Sequence, residues 1–411
     1  MTEHVLDTLK ERGFLQQSTD EVGLRSYLSE MGATCYLGFD PTAGSLHIGS
    51  LLPIMALKHL QDAGVRTIAL LGGGTAMVGD PSGKTEMRKM LQPEQIMQNA
   101  ESFKLQLSRF LHFDGDRSLW VNNADWLGTL SYITFLREIG RHFSVNRMLT
   151  AEAYRLRLEN GLSFIEFNYQ LLQAYDYLEL FRKYGCRLQV GGDDQWGNCL
   201  AGKELVRRVE SEEVHVMTFP LLTTATGAKM GKTAAGAVWL DANLTSPYEF
   251  YQYWINVDDR DVERFLKLYT FLPMEEIGRL AQLEGAQIRD AKEVLAFEVT
   301  KVVHGEQAAA QARAAAQSLF GGGAADAEAM PETHVSKADV EAGISAPELL
   351  AMAGLAKSRS EGRRLIQQGG VQLGDRRCEE IDEMVGPEHF SGDGTLIVKV
   401  GKKRFHRMVI Q

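Results

Sequence analysis

The chain has 411 residues, of which 44% are hydrophobic and 24% are charged, and its formal net charge at pH 7 is −10. This length and balance predict a globular protein of two or three domains and exclude a disordered chain. No apolar run approaches the roughly 20 residues that a membrane helix needs, and the charged N-terminus lacks an apolar signal core, so we expect a cytoplasmic protein without a membrane partner.

Short β-rich runs alternate with amphipathic helical patterns through residues 1–230, which we predict to form a catalytic domain. This alternation predicts an α/β fold with a mostly parallel, Rossmann-like sheet and helices on both faces. Because ligands bind beyond the carboxyl ends of strands in such sheets, Asp40, Asp80 and Asp194 should lie near one rim. The candidate strands are 34–38 (TCYLG), 67–71 (TIALL), 119–122 (LWVN), 187–190 (RLQV) and 214–218 (VHVMT).

The rest of the chain divides into three predicted segments. Residues 231–320 continue a Lys-containing loop into a helical middle domain, because PYEFYQYWINVDDRDVERFLKLYTF and the Ala-rich run after it have helical patterns. Residues 321–344 have the Gly-rich composition of a linker. Residues 345–411 form a small α+β module, whose 11 Lys and Arg against 9 Asp and Glu indicate a basic module attached to an acidic remainder.

The stretch MVGDPSGKT at 77–85 is similar to a phosphate-binding P-loop, whose pattern is G-x-x-x-x-G-K-[ST]. Its ending, Gly83-Lys84-Thr85, fits the pattern, but Val78 stands where the first glycine belongs and Gly79 comes one residue too late. The stretch is therefore a damaged P-loop, a chance run or a different way of handling a nucleotide.

The stretch FDPTAGSLHIGS at 39–50 leaves a predicted strand and enters a predicted helix. The first turn of a helix exposes N–H groups that favour anions, and His47 placed there can donate to a phosphate oxygen. Gly49 would let a flat base lie against the backbone. The alternative for His47, taken alone, is a capping or surface histidine.

Two further segments have features suited to a nucleotide. Lys229 and Lys232 stand three residues apart in GAKMGKTAAG at 227–236, where they can neutralise charge that develops on a leaving pyrophosphate. The alternative is a solvated basic loop. The stretch LQVGGDDQWG at 188–197 places two glycines and then carboxylates after a strand, which suits a ribose that approaches closely and donates from its hydroxyls.

Tyr169, Gln173 and Asp176 stand at i, i+4 and i+7 in FNYQLLQAYDYLELF, on one face of a predicted helix. Their apolar neighbours indicate burial, and a buried Asp needs partners. The alternatives are a structural hydrogen-bond network and a pocket for a small polar ligand, of which we favour the pocket.

Together these segments resemble the bacterial tyrosyl-tRNA synthetases, a class I aminoacyl-tRNA synthetase family, nearly end to end and in the same order. FDPTAGSLHIGS is similar to the family's HIGH region and KMGKT to its KMSKS loop, while VGDPSGKT, YQLLQAYD and VGGDDQWGN are family landmarks. AKSRSEGRRLIQQGGVQLG resembles a small RNA-binding module that also occurs in a ribosomal protein. The resemblance implies a tyrosine–tRNA ligase, which makes tyrosyl-adenylate from L-tyrosine and ATP, releases pyrophosphate, and transfers tyrosine to the 3′ end of tRNA(Tyr).

The resemblance also implies which residues bind the amino acid. Tyr36 and Asp176 flank the substrate phenol, one donating to its hydroxyl and the other accepting from it. Enzymes of this kind are the standard example of rejecting phenylalanine by leaving buried polar groups without a partner. The residues implied for the α-ammonium and the reacting carboxylate are Asp80, Tyr169, Gln173 and Gln195. In this interpretation VGDPSGKT is not a P-loop, because its Asp faces the amino acid.

The resemblance implies a second set of residues for the nucleotide. Mg²⁺ accompanies ATP, with no protein-only metal site and no tightly bound cofactor, and a homodimer forms through the helical region after residue 125. The residues implied for ATP are Asp40, Thr42, His47, Gly49, Gly192, Asp194 and Lys232. The residues implied for catalysis, through the charge on the phosphates, are His47, Lys84, Arg88, Lys229, Lys232 and Thr233.

Three positions depart from the family's commonest forms. Ser50 replaces the last His of HIGH, KMGKT lacks the serine of KMSKS, and Asp193 adds a second carboxylate before Asp194. The four cysteines are scattered without a C-x-x-C pair, which predicts reduced thiols rather than a zinc site.

Three competing functions remain open on the sequence. One is another adenylate-forming enzyme with a HIGH-like motif, such as pantothenate synthetase, although such enzymes lack the RNA-binding tail. Another is a tryptophanyl-tRNA synthetase, against which a phenol-sized site ending in a carboxylate favours tyrosine. The third is a non-catalytic RNA-binding protein, against which the presence of His47, Lys229, Lys232 and Asp176 favours an enzyme.

Overall fold

The computed structural model describes residues 4–82, 90–227, 230–233, 236–320, 332–401 and 404–411, with the backbone alone at 156, 232–233 and 318–320. The chain forms two compact units. The first comprises Met1–Leu244 and Asp258–Ala291, and the second comprises Thr245–Val257 and Lys292–Gln411.

Helices and strands alternate through the first unit, and the second unit is helical before it becomes mixed. The helices are α1 (Val5–Glu11), α2 (Glu21–Leu28), α3 (Ile48–Asp62), α4 (Pro93–Leu107), α5 (Ala124–Leu127), α6 (Tyr132–Glu138), α7 (Val145–Met148), α8 (Glu152–Leu158), α9 (Phe164–Tyr184), α10 (Trp196–Glu210), α11 (Pro247–Ile255), α12 (Val262–Tyr269), α13 (Met274–Ala281), α14 (Ile288–His304), α15 (Glu306–Phe320), α16 (Lys337–Ala342), α17 (Ala346–Met352) and α18 (Arg359–Gln367).

The strands are β1 (Gln17–Ser18), β2 (Thr34–Phe39), β3 (Arg66–Leu71), β4 (Ser118–Asn122), β5 (Leu188–Gly192), β6 (His215–Phe219), β7 (Lys232–Thr233), β8 (Gly236–Ala237), β9 (Glu332–Val335), β10 (Ile344–Ser345), β11 (Val371–Leu373), β12 (Arg376–Arg377), β13 (Met384–Val385), β14 (Thr395–Val400) and β15 (Arg404–Ile410).

A six-stranded sheet with the order β1-β6-β5-β2-β3-β4 forms the centre of the first unit. Its strands pair in parallel, except that the short β1 runs antiparallel to β6. The sequences of β2 (TCYLGF) and β3 (RTIALL) are almost continuously apolar and almost fully buried, as expected for strands covered on both faces. The predicted mostly parallel α/β sheet is confirmed, with strand ends within two residues of the prediction.

The helix α9 packs along this sheet and carries the polar side chains singled out above. It begins with a capping box, in which Ser163 and Glu166 bond each other's backbone N–H, and it ends at Gly185 in the left-handed conformation. Its apolar side chains join residues of β2, β3 and β6 in one buried cluster that includes Tyr36, Ile68, Leu70, Leu171, Ala174, Tyr177, Leu178 and Val216. Local sequence signals therefore determine where α9 begins and ends, and its apolar side chains determine which face packs on the sheet.

The second unit contains a five-stranded sheet with the order β12-β11-β14-β15-β9. The helices α17 and α18 pack on one another so closely that a Cβ on Gly362 would lie 2.9 Å from the carbonyl oxygen of Pro347. A separate apolar core, which includes Val335, Leu349, Ile366, Val398 and Met408, lies beneath them. The predicted α+β module is thus present, and its sheet begins earlier than residue 345, because β9 pairs with β15.

The predicted division at residues 230, 320 and 344 remains a proposal about functional domains. In the part of the chain that the structure describes, no helix combines the length and the apolar character needed to cross a bilayer.

Candidate active site

A cavity of about 670 Å³ opens where β2, β3, β5 and β6 end. Parallel strands bring the residues that follow them to one edge of a sheet, and α9 closes this edge from the side, so residues far apart in sequence share the cavity. The predicted site residues that line it are Tyr36, Asp40, Thr42, His47, Gly49, Asp80, Tyr169, Gln173, Asp176, Gly192, Asp194 and Gln195.

The remaining predicted residues belong to two basic segments of the sequence, at 83–88 and 227–236. Lys84, Arg88 and Lys229 lie outside the described residues. Lys232 and Thr233 are described by their backbone, which forms β7 and pairs antiparallel with β8. Their roles therefore stay predictions from the sequence.

Asp176 lies in the most buried part of the cavity, with only 1% of the residue exposed. Asn123 donates from Nδ2 to Oδ2 of Asp176 at 2.9 Å, and Trp126 donates from Nε1 to Oδ1 at 2.8 Å. Burial raises the pKa of Asp176 from 3.8 to about 8, while these two hydrogen bonds lower it and the Asp40 and Glu179 carboxylates raise it further. The result is an acceptor that is held in one orientation at a cost in free energy.

The hydroxyl of Tyr36 faces the same part of the cavity without a hydrogen-bond partner among the described residues. Its ring packs edge-on against Tyr177, with centroids 5.2 Å apart. Burial first, then the nearby Cys199 and Asp176, raise the pKa of Tyr36 well above its ordinary value, so the hydroxyl keeps its proton. A buried hydroxyl left unpaired costs about 1–3 kcal/mol, which a ligand with a matching group would recover.

Asp40 organises the wall between β2 and α9. Its Oδ2 accepts from the Tyr169 hydroxyl at 2.8 Å, and its Oδ1 accepts from Thr75 Oγ1 at 2.7 Å. A Cβ on Gly72 would lie 1.9 Å from Oδ1 of Asp40, so only glycine leaves room for this carboxylate. Because the Tyr169 proton points at Asp40, the lone pairs of Tyr169 are available to a cationic donor.

Asp80 is held by a network of amides at the neighbouring wall. Its Oδ1 accepts from Ser82 N at 2.9 Å and its Oδ2 from Gln195 Nε2 at 2.7 Å. Asn198 donates from Nδ2 to the Oε1 atoms of Gln173 at 3.0 Å and Gln195 at 3.2 Å. Asn198 therefore sets the orientation of both glutamine amides around the Asp80 carboxylate.

His47 precedes α3 as its N-cap residue, with extended backbone angles of φ −126° and ψ 172° and no capping hydrogen bond from its side chain. A capping role for the His47 side chain is therefore set aside, whereas the residue is exposed, as the surface alternative expects. A Cβ on Gly49 would lie 2.7 Å from His47 Cε1, so the missing side chain of Gly49 makes room for the imidazole. Packing of a base on Gly49 stays a prediction.

The two adjacent carboxylates after β5 have different surroundings. Oδ1 of Asp193 accepts from Gln17 Nε2 at 2.6 Å and from Thr218 Oγ1 at 2.8 Å, which ties the turn to β1 and β6. Asp194 lines the cavity, whereas Asp193 does not. A Cβ on Gly192 would lie 2.7 Å from Oδ1 of Asp194, so glycine is needed beside it. The geometry therefore favours Asp194 as the carboxylate that faces a ligand.

Residues 222–238, which we call the flap, leave the cavity after β6 and return to α3. The return is fixed by backbone hydrogen bonds from Ile48 N to Val238 O at 3.0 Å and from Leu240 N to Leu46 O at 2.8 Å. Between them, His47 and Trp239 form an antiparallel bridge. The residues around His47 and the end of the flap are thus joined by backbone hydrogen bonds.

Several residues of the site were missed from the sequence. Asn123 had a usable signal, because it follows a predicted strand and so had to lie at the same rim. Trp126 and Thr75 had none, since each acts through a hydrogen bond to a residue far away along the chain, and Asn198 stood in the landmark VGGDDQWGN without an assigned role.

Two family models match the chain over complementary ranges. The model described as tRNA synthetases class I (W and Y) matches residues 29–321. The model described as Tyrosine--tRNA ligase SYY-like C-terminal domain matches residues 324–408.

Known proteins with similar sequences and structures agree with these matches. The tyrosine–tRNA ligase of Desulfosudis oleivorans is 54% identical over 99% of each chain. That of Acetivibrio thermocellus is 55% identical over 98% of each chain. A C-terminally truncated mitochondrial tyrosyl-tRNA synthetase from Aspergillus nidulans superposes with a TM-score of 0.70 at 32% identity, covering 77% of this chain and 94% of its own.

Proposed function

The chain belongs to the class I tRNA synthetases of the tryptophan and tyrosine branch, as a tyrosine–tRNA ligase, and we propose that the cavity of its first unit binds L-tyrosine and ATP side by side. In this proposal the tyrosine phenol enters the buried part between Tyr36 and Asp176. ATP lies over the start of α3 and the end of β5. The tyrosine carboxylate then faces the α-phosphate where the two ligands meet.

The observation that carries the proposal is that Tyr36 and Asp176 line the same buried part of the cavity. A para-hydroxyl donates to the oriented Asp176 carboxylate and accepts from the Tyr36 hydroxyl, which has no other partner among the described residues. Phenylalanine offers neither group and would leave two buried polar groups unpaired, and such sites discriminate by about 10⁵, a figure measured on a tyrosine-specific enzyme of this kind. An indole nitrogen can donate but cannot accept, so tryptophan would satisfy only Asp176.

The α-ammonium of tyrosine is assigned to Asp80, Tyr169 and Gln173. Tyr169 presents lone pairs because its proton is directed to Asp40, and Asp80 presents a carboxylate that is oriented by the bonds from Ser82 and Gln195. Gln195 then lies beside the ammonium site, where its amide can contact the reacting carboxylate. Together these groups favour the zwitterion of a free amino acid.

The chemistry assigned to the cavity is adenylate formation. A carboxylate oxygen of tyrosine bonds to the α-phosphorus of ATP while the bond from that phosphorus to the bridging oxygen of pyrophosphate breaks. No protein nucleophile is needed, so positioning and charge stabilisation supply the acceleration. His47, the N–H groups of α3 and Thr42 meet the phosphates, while Gly192 and Asp194 hold the ribose.

We assign the two basic segments to the charge of the leaving pyrophosphate, through Lys84, Arg88, Lys229, Lys232 and Thr233. Mg²⁺ is assigned to ATP, because this ion keeps several waters and is usually bound through substrate phosphates. The ion, when bound, neutralises phosphate charge alongside these lysines.

The second step transfers the tyrosyl group to the 3′ end of tRNA(Tyr), and we assign tRNA recognition in part to the C-terminal unit. In α18 and the hairpin of β11 with β12, the side chains of Arg359, Arg363, Arg364, Arg376 and Arg377 are exposed. Such a set suits a phosphate backbone. A cytoplasmic location, where tRNA is charged, is part of the same proposal.

A homodimer completes the proposal. The region after residue 125 exposes large apolar side chains that a monomer would leave in water, which marks a protein–protein contact surface. They are Tyr132, Ile133, Leu136, Val145, Leu158 and Phe164.

Exchange of labelled pyrophosphate into ATP tests the catalytic proposal directly. We expect exchange with L-tyrosine and none above background with L-phenylalanine or L-tryptophan. Exchange driven by tryptophan would overturn the specificity, and absence of exchange with all amino acids would favour a binding protein without catalysis.

A further inference from the structure

The first part of the flap, residues 223–225, which we call the first leg, is held by two charged side chains of α12. Asp261 is the N-cap residue of α12, and its Oδ2 accepts from Ala225 N at 2.7 Å. Arg264, one turn further along the helix, donates from Nη2 to Oδ1 of Asp261 at 2.6 Å and to the carbonyl oxygen of Thr223 at 2.5 Å. The leg is thus bonded through one backbone N–H and one backbone C=O, two residues apart.

This contact differs from the surface ion pairs of the same molecule. Asp261 is 2% exposed while the Arg264 side chain is 42% exposed, so water competes for one partner only, whereas it competes for both partners of an exposed pair. Hydrogen bonds to ionised groups are roughly twice as strong as neutral ones. The Asp261–Arg264 pair is therefore a firm attachment for the backbone of the flap.

The attachment lies immediately before the part of the flap that carries its charges. Gly227 follows with φ +83°, a left-handed conformation that favours glycine and turns the chain. Lys229 comes four residues after Ala225, and Lys232 comes seven after it. On the other side the return is fixed to residues 46–48 by the backbone bonds of Ile48 and Leu240.

We propose that Asp261 and Arg264 are positioning residues for adenylate formation, acting through the lysines of the flap. By fixing the first leg at Thr223 and Ala225, the pair limits where Lys229 and Lys232 can lie relative to the leaving pyrophosphate. Neither residue lines the cavity, so neither touches substrate. This inference rests on the proposed role of the flap lysines.

The test uses the full-length enzyme and single-turnover adenylate formation. Asp261→Asn weakens the bond to Ala225 N, and Arg264→Met removes the bonds to Asp261 and Thr223. We expect each change to slow adenylate formation by about tenfold or more, because small misplacements of charge are costly in rate. The equilibrium Kd for tyrosine should stay within about twofold of wild type, and Arg264→Lys should recover part of the rate. Glu263→Gln serves as a matched control, because Glu263 is exposed and pairs with Lys267 on the same helix.

A double-mutant cycle with a Lys229→Ala/Lys232→Ala enzyme decides how the pair acts. If Asp261 works through the lysines, Asp261→Asn should slow the enzyme that lacks both lysines by no more than about twofold, because coupled residues are not additive. Independent, multiplicative effects would overturn the inference while leaving the proposed function intact. A Lys232→Ala enzyme with wild-type rates would instead overturn the proposed role of the flap. Because Arg264 is partly exposed, Arg264→Met keeps the test valid if Asp261→Asn fails to fold.

Discussion

Trp126 donates its indole N–H to Oδ1 of Asp176 across 2.8 Å, from the short helix α5 to the middle of α9. With Asn123 on the other oxygen, this bond determines which way the carboxylate faces. In the proposed site, the acceptor for the phenol is therefore oriented by a residue that is separated from Asp176 by 50 positions in the sequence.

Trp126→Phe should weaken tyrosine binding while leaving the fold intact. The ring is retained but one donor to Asp176 is lost, and leaving a buried acceptor without its donor costs about 1–3 kcal/mol. We expect the KM for tyrosine in pyrophosphate exchange to rise about tenfold or more, with the KM for ATP little changed. Trp120→Phe is the control, because Trp120 stacks on Phe113 and does not line the cavity. An unchanged KM for tyrosine would show that Asn123 alone orients the carboxylate.

Asp176→Asn should remove tyrosine activation and also change how stability depends on pH. The pKa of Asp176 is raised from 3.8 to about 8 in the folded chain, so between these pH values the folded state holds a proton that the unfolded state has lost. The free energy of unfolding therefore falls as the pH rises from about 4 to 8, and this part of the slope disappears in Asp176→Asn. Denaturant titrations at pH 5, 6.5 and 8 measure this dependence of the free energy of unfolding on pH. Asp116→Asn, at an exposed position, is the control. Equal slopes in wild type and Asp176→Asn would contradict the raised pKa.

Tyr36→Phe should separate specificity from stability. The Tyr36 hydroxyl is buried without a partner among the described residues, so its removal should leave the free energy of unfolding equal or higher. Discrimination between tyrosine and phenylalanine, measured as the ratio of their kcat/KM values in pyrophosphate exchange, should fall about tenfold or more, because one of the two groups that recognise the phenol is gone. A large loss of stability would mean that Tyr36 serves the core and not the ligand.

The sequence was enough to predict what depends on local patterns. Apolar runs located β2 to β6, and residues that follow strand ends, such as Asp40 and Asp194, had to meet at one rim. It could not predict β1, because Gln17 and Ser18 have no alternating pattern and pair with β6 only through the tertiary fold. Nor could it find contacts such as Trp126 with Asp176 or Asp261 with Ala225, since no periodicity links their positions.

Lys232→Ala should slow adenylate formation far more than it weakens tyrosine binding. Its target is charge that develops on pyrophosphate as the α-phosphate bond breaks, so the interaction is strongest in the transition state. We expect the single-turnover rate to fall by about two orders of magnitude, comparable to the loss of one charge-stabilising donor, while the Kd for tyrosine holds. A variant that loses tyrosine affinity at an unchanged rate would contradict this role.

Removal of the C-terminal module should impair tRNA charging and spare adenylate formation, provided that the truncation removes every strand of its five-stranded sheet. Because β9 at Glu332–Val335 pairs with β15, a chain ending at residue 344 would keep one strand of a sheet whose other members are gone. A chain ending at residue 320 removes that sheet entirely. We expect it to retain pyrophosphate exchange within a few-fold of wild type and to lose most tRNA charging, since the exposed arginines of α18 are absent. Reversal of charge at Arg363 and Arg364 in the full-length chain is the matched control and should reproduce the charging defect. An equal loss of both steps in the truncated chain, with the arginine variant fully active, would show that the module supports the fold rather than binding tRNA.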